Sequence, residues 1–164
     1  MIIDLESVFN VEGMSVDISH EADYSAEELD GVFPFTAPVS ISGRVANETG
    51  IVTIDADVSL ELKIPCSRCA REFTMPLDIP VFHTLVREVA NEDNDELICV
   101  SDSQFDVDPL IKEDVFLSLP FKFLCSEDCK GLCPKCGRNL NNGPCSCEPE
   151  TDPRLDVLRQ LLDN

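Results

Sequence analysis

Residues 52–64 read VTIDADVSLELKI. Val52, Ile54, Ala56, Val58, Leu60, Leu62 and Ile64 alternate with Thr53, Asp55, Asp57, Ser59, Glu61 and Lys63. A strict period of two puts every apolar side chain on one face of an extended strand, so this stretch predicts a strand with one buried face. Upstream, Val39, Ile41, Gly43 and Val45 alternate in the same way, and Ala46 to Gly50 (ANETG) supplies a turn. Downstream, Phe73, Met75, Leu77, Ile79 and Val81 alternate again, with Pro76 and Pro80 on the opposite phase, as an edge strand tolerates. The expectation is an antiparallel β-meander whose second turn, PCSRCARE, places Cys66 and Cys69 at a hairpin tip.

The flanks are less regular. Ile2, Ile3 and Leu5, then Val16 and Ile18, suggest short strands. Ser25 with Glu28 three residues on resembles a capping box, predicting a short helix over 25–29. Residues 91–96 (NEDNDE) read as a solvated acidic loop, and 97–100 as one further strand in which Cys99 is a core thiol. His20, alone among acids, is expected to be solvated, and His83 to be a half-buried strand residue. Asp108-Pro109 reads as N-cap and first-turn proline of a helix that ends at Pro120 and covers one sheet face. Thr151-Asp152-Pro153 is a second start signal, followed by Leu155, Leu158, Leu161 and Leu162 at helical spacing. The fold class is therefore α+β: an antiparallel meander with one or two helices over 1–120, then a cysteine-rich tail and C-terminal helix over 121–164.

Six of the nine cysteines fall in LCSEDCKGLCPKCGRNLNNGPCSC, at 125, 129, 133, 136, 145 and 147. CPKCG is the loop type in which two thiolates reach one metal ion. Gly137 suits its turn, because glycine takes positive φ cheaply. Zinc binds four soft ligands in a tetrahedron, commonly as pairs from C-x₂₋₄-C loops. Cys66 and Cys69 form a second such pair. The N-terminus, MIIDLESVFN, lacks the basic and apolar regions of a signal peptide, which predicts a cytoplasmic chain with thiols rather than disulfides. One or two zinc ions follow. One allocation joins Cys66, Cys69, Cys125 and Cys129, and leaves Cys133, Cys136, Cys145 and Cys147 to a local site. The rival pairs Cys66 and Cys69 with Cys133 and Cys136, and spacing alone leaves both open.

The chain carries 32 acidic against 12 basic residues, a net charge of -20. That field repels phosphate backbones and anionic membranes and draws basic partners. No apolar run approaches the roughly 20 residues of a membrane span. Lys63, Arg68, Arg71, Lys122, Lys130, Lys135 and Arg138, seven of the basic residues, lie among the cysteine segments. They are the candidate contacts to RNA or a partner, or else they screen thiolates. No nucleophilic triad, Gly-rich phosphate loop or H-E-x-x-H is present, and cysteine-only ligand sets argue for closed, structural metal sites.

PCSRCAREF, DPLIKEDVFLSLP, CKGLCPKCGRNLN with C-S-C, and DPRLDVL occur in that order. In these pieces the chain resembles the bacterial and plastid YceD family, whose members are named large ribosomal RNA subunit accumulation proteins. The resemblance implies a non-enzymatic role in making or maintaining the large ribosomal subunit, through its RNA or a basic ribosomal protein, with neither DNA nor membrane as partner. Members that lack the CPKCG loop but keep the hairpin C-x-x-C favour the first ligand allocation. No catalytic residue carries over. Two rival functions remain: a thiol redox enzyme or sensor using Cys66 and Cys69, and an acidic adaptor for basic partners.

Overall fold

In a computed structural model the described residues are 1–88 and 97–147. The chain runs β1 (Ile2–Asp4), α1 (Glu6–Asn10), β2 (Ser15–Ala22), β3 (Val39–Glu48), β4 (Ile51–Pro65), β5 (Glu72–Val86), β6 (Leu97–Cys99), β7 (Gln104–Asp106) and α2 (Val107–Ser118). Five strands form one sheet in the order β2-β3-β4-β5-β6, and β1 pairs with β7 in a two-stranded sheet. The class is α+β, as the sequence predicts. The sheet is mixed rather than purely antiparallel, because β6 joins β5 in parallel at Thr84–Val86.

β4 and β5 dominate the sheet. Their register runs from Val52↔Leu85 to Pro65↔Glu72, so the hairpin extends well beyond the neighbouring strands. Every even-numbered apolar residue of β4 from Val52 to Ile64 is buried, and the intervening polar residues are exposed or half-buried. That stripe and its cross-strand neighbours Ile41 and Val45 of β3 share one core with Ile111 and Val115 of α2 and with Leu5 and Val8 near the N-terminus. Most of β5 is a free edge among the described strands. Its alternate positions Pro76 and Pro80 remove two ladder donors there, a common guard against edge pairing.

The 25–29 segment is a turn, not a helix: Asp23 Oδ1 accepts the Ser25 N–H at 2.9 Å and Tyr24 O accepts the Glu27 N–H at 2.9 Å. Tyr24 is buried against Phe35, and Leu29 bridges to Val32, so tertiary packing outcompetes a helix too short to nucleate. α2 begins earlier than predicted. Its N-cap is Asp106, whose carboxylate accepts the Asp108 N–H, and Pro109 still falls in the first turn, where its missing donor costs nothing. The short helix α1 has no clear signal in the sequence.

Both histidines reach α2 from the sheet. His83 Nε2 lies 2.7 Å from Asp114 Oδ2, half-buried as expected. His20 is not free in solvent: its Nε2 lies 3.3 Å from Asp108 Oδ1. Cys99 is exposed, its sulfur 3.5 Å from Arg87 O, and the buried residue is Val100 beside it. A strand of three residues at the sheet margin presents Cys99 outward, which corrects its placement in the core. The acidic loop 91–96 and the C-terminal helix expected over 151–162 lie outside the described residues. Among the described residues no helix is long and apolar enough to cross a membrane.

Candidate metal centres

The β4–β5 connection is built as a knuckle. Cys66 N–H donates to Arg71 O at 2.9 Å, and Ala70 N–H donates to Cys66 O at 2.9 Å. CPKCG repeats this pattern residue for residue. Cys133 N–H donates to Arg138 O at 2.8 Å, and Gly137 N–H donates to Cys133 O at 2.9 Å. The fifth residue has positive φ in both, 55° at Ala70 and 70° at Gly137. The two C-x-x-C segments are thus one local structure, with alanine in the glycine position at the tip.

The tail docks on the tip through its backbone. Ser67 N–H donates to Phe123 O at 2.7 Å, Ser67 Oγ accepts the Phe123 N–H at 3.1 Å, and Leu132 N–H donates to Arg68 O at 3.1 Å. Gly131 permits that close approach: at φ 74°, an added Cβ would lie 3.0 Å from Arg68 O. Arg68 completes the joint, its Nη1 donating to Cys129 O at 2.9 Å and Glu127 O at 3.3 Å.

This docking brings Cys66, Cys69, Cys125 and Cys129 together, and separately Cys133, Cys136, Cys145 and Cys147. Within each group all four sulfurs lie within 4.8 Å of one another. Cys66–Cys129 and Cys69–Cys125 are each 3.7 Å, sulfur to sulfur. A disulfide is about 2.05 Å. A tetrahedral ion with metal–sulfur bonds of about 2.3 Å would hold its sulfurs about 3.8 Å apart. Both groups could hold a metal ion, and the donor set, four sulfurs each, fits a soft one. The grouping follows the first allocation, not the rival that pairs the two C-x-x-C loops. Burial differs between them. Cys66, Cys69 and Cys129 are buried with Cys125 half-buried, whereas in the second group Cys133 is buried and Cys136 exposed.

The electrostatics fit a cation in each cluster. Burial pushes the Cys66 thiol up, but the backbone N–H groups of Cys125, Arg68 and Cys69 outweigh it and bring it down to about 6. The backbone N–H groups of Cys136 and Lys135 bring Cys133 down to about 6. The Asn141 amide lowers Cys129. Cys125, by desolvation and then its thiol neighbours, is raised to about 12. Cys147 is raised to about 12 by Cys136 first and desolvation second. Each cluster therefore contains sulfurs favoured as thiolate beside others held towards the thiol form, a conflict that a bound cation relieves.

Lys63, Arg68, Arg71, Lys122, Lys130, Lys135 and Arg138 are all exposed, and all are borne by the segments that the clusters join. Lys63 lies 3.7 Å from Glu72, and the Arg68 guanidinium is engaged within the joint. Sequence reasoning missed Asn141, whose role is invisible in a run of asparagines and glycines.

A family model described as "Large ribosomal RNA subunit accumulation protein YceD" matches residues 54–162. The chain belongs to the YceD family. An uncharacterized Bacillus subtilis (strain 168) protein, YlbN, is 29% identical over 129 residues, 77% of this chain and 75% of its own length. A Zea mays protein named "Large ribosomal RNA subunit accumulation protein YCED homolog 1, chloroplastic" is 25% identical over 157 residues. That match covers 76% of this chain but only 54% of the maize protein. An uncharacterized protein of Mycobacterium leprae (strain TN) is 26% identical over 136 residues, 80% of this chain and 62% of its own. No solved structure matches significantly. The names in this YceD family point to a ribosome-related role and to an accumulation factor rather than a known enzyme.

Proposed function

We propose that this chain is a non-enzymatic factor for assembly or accumulation of the large ribosomal subunit and its RNA, with two structural zinc ions. The observation that carries the reading is the pair of four-sulfur clusters, the first tying the tail to the hairpin tip and the second lying within the tail, where exposed bases gather. Cys66, Cys69, Cys125 and Cys129 would hold one ion; Cys133, Cys136, Cys145 and Cys147 would hold the other. Zinc there would act as a crosslink, because four thiolates fill its tetrahedron and leave no position for water. The same closure disfavours a thiol redox role for Cys66 and Cys69, whose sulfurs are buried beside Cys125 and Cys129.

The reading treats 1–120 as the scaffold and 121–164 as the metal-organised working part, in a cytoplasmic protein. The partner is large-subunit RNA or a basic ribosomal protein. The bulk charge of -20 opposes phosphate, so RNA would be met only through the exposed bases at the tip and tail. A specific observation favours the adaptor variant as second reading: the Arg68 guanidinium is already spent on Cys129 O and Glu127 O. Cosedimentation with large-subunit precursors, followed by RNA crosslinking of the purified complexes, tests both. Crosslinks that map to the tip support RNA contact. Cosedimentation without any RNA crosslink supports the adaptor, and absence from every precursor fraction sinks the ribosomal reading.

A further inference from the structure

One polar side chain of the tail belongs to neither cluster, yet is carried by one and touches the other. Asn141 lies in a 3-10 turn, Leu140–Asn142, between Cys136 and Cys145. Its Nδ2 donates to Cys129 Sγ, in the first cluster, at 3.3 Å. Its Oδ1 accepts the Lys130 backbone N–H at 2.7 Å. The amide can sit only this way round. A backbone N–H is never an acceptor, so the oxygen must face Lys130 and the NH₂ group is left for sulfur.

The turn that aims Asn141 lies inside the loop that the second cluster spans. Asn139 Oδ1 accepts the Asn141 N–H at 3.0 Å, and Leu140 N–H donates to Gly131 O at 2.9 Å. Leu132 and Asn139 form an isolated antiparallel bridge. These backbone contacts hold residues 138–140 to 131–133 on one side of Asn141, and on its other side Cys145 and Cys147 meet Cys133 and Cys136.

We propose that Asn141 couples the two metal centres, so that filling the second tightens the first. The inference rests on reading both clusters as metal sites. A metal on Cys133, Cys136, Cys145 and Cys147 closes the 133–147 loop, and the closed loop delivers the Asn141 amide to the Cys129 sulfur. An N–H···S bond stabilises a ligating thiolate and fixes its direction, the usual work of groups one layer out from a metal. Asn141 is thus a positioning residue. Coupling of binding free energies is reciprocal, so the first centre, once filled, tightens the second by the same factor.

The test is a titration of metal-free, full-length chain with zinc against a competing chelator, followed by amide NMR. The Arg68 and Cys125 N–H groups, which point at Cys66 Sγ, report the first centre; those of Cys133 and Gly137 report the second. Asn141→Ala weakens the first centre about tenfold, the lower end of the range for such groups, since Asn141 is exposed. Asn141→Asp keeps an acceptor for Lys130 but sets a carboxylate against the thiolate, so it weakens the first centre at least as much. The double variant Cys145→Ser/Cys147→Ser costs the first centre a similar factor, and adding Asn141→Ala to it costs nothing more. Unchanged affinity in Asn141→Ala, wild-type affinity in Asn141→Asp, or losses that simply add would each overturn the coupling. A wild-type chain that takes metal in neither cluster overturns the metal reading itself, an outcome distinct from the other three.

Discussion

Arg68 Nη1 donates to the carbonyl oxygen of Cys129 at 2.9 Å, across 61 residues of sequence. The side chain that sequence reasoning offers to RNA is thus part of the joint between hairpin tip and tail. Arg68→Ala is expected to loosen that joint by about 1.5–3 kcal/mol, the range for a hydrogen bond from a charged group. Hydrogen exchange at Phe123 and Leu132, whose N–H groups bond Ser67 and Arg68, reads it directly. Protection that matches wild type would show the contact to be idle.

Arg71 is the cleaner probe of partner binding, since its residue is exposed and, among the described residues, its side chain makes no ion pair or hydrogen bond in the joint. Arg71→Glu is expected to lower RNA crosslinking with the metal content and the sheet intact. If two to four phosphates are contacted, at about 0.7 per contact, the log–log salt slope for single-stranded RNA is roughly -1.4 to -2.8. A steeper slope would mean that bases beyond this cluster take part. Undiminished crosslinking would favour the adaptor.

Metal removal is expected to split the molecule's stability in two. The 123–147 segment gives the main core only Phe123, whereas the rest of that core comes mostly from the sheet, α2 and the N-terminal residues. A structural zinc supplies an apparent ~10–16 kcal/mol to such segments. Protease should cut the tail in chelator while 39–86 survives; equal protection with and without chelator contradicts the proposal.

Cys66→Ser and Cys99→Ser should part company. The first removes a buried member of a four-sulfur cluster and is expected to cost one bound zinc per chain. The second alters an exposed thiol at the sheet margin, expected to leave zinc unchanged and stability within about 0.5 kcal/mol. Elemental analysis with a thermal melt distinguishes them, and full zinc in both would refute the assignment of Cys66.

The two knuckles permit a mirrored pair of substitutions. Ala70 holds φ 55° where its counterpart Gly137 holds 70°. A left-handed backbone costs a non-glycine residue about 1–2 kcal/mol. Glycine also loses entropy on folding, so Ala70→Gly is expected to gain only about 1 kcal/mol and Gly137→Ala to lose a similar amount. Chelator midpoints for tail release give the sign of each, and a loss for Ala70→Gly would show that its methyl group packs productively.

The strands of the 39–81 meander were legible because strand periodicity is a local property: one buried face forces alternation, and Val52 to Ile64 has no other solution. The knuckle at Cys133 was legible for a similar reason, since five residues contain the whole turn. What was not legible depends on partners far away in the chain. The 25–29 segment has helical signals, yet Tyr24 finds Phe35 and Lys112 finds Glu27, and those contacts outweigh a single turn of helix. Cys99 is apolar in type but lies on the outward phase of a three-residue strand, and only the sheet's margin sets that phase.

By itself, then, the sequence determined that a strand-rich α+β protein would carry cysteines in knuckle-type pairs with most of its positive charge beside them. It could not choose which pairs share a cluster, because loop-closure cost changes only slowly with loop length and penalises both allocations alike. Tertiary structure made that choice through backbone contacts. Phe123 bonds to Ser67, and Gly131 comes close enough to Arg68 for Leu132 N–H to reach Arg68 O, placing Cys125 and Cys129 at the tip. Cys133 and Cys136 are then carried past it, to meet Cys145 and Cys147 instead.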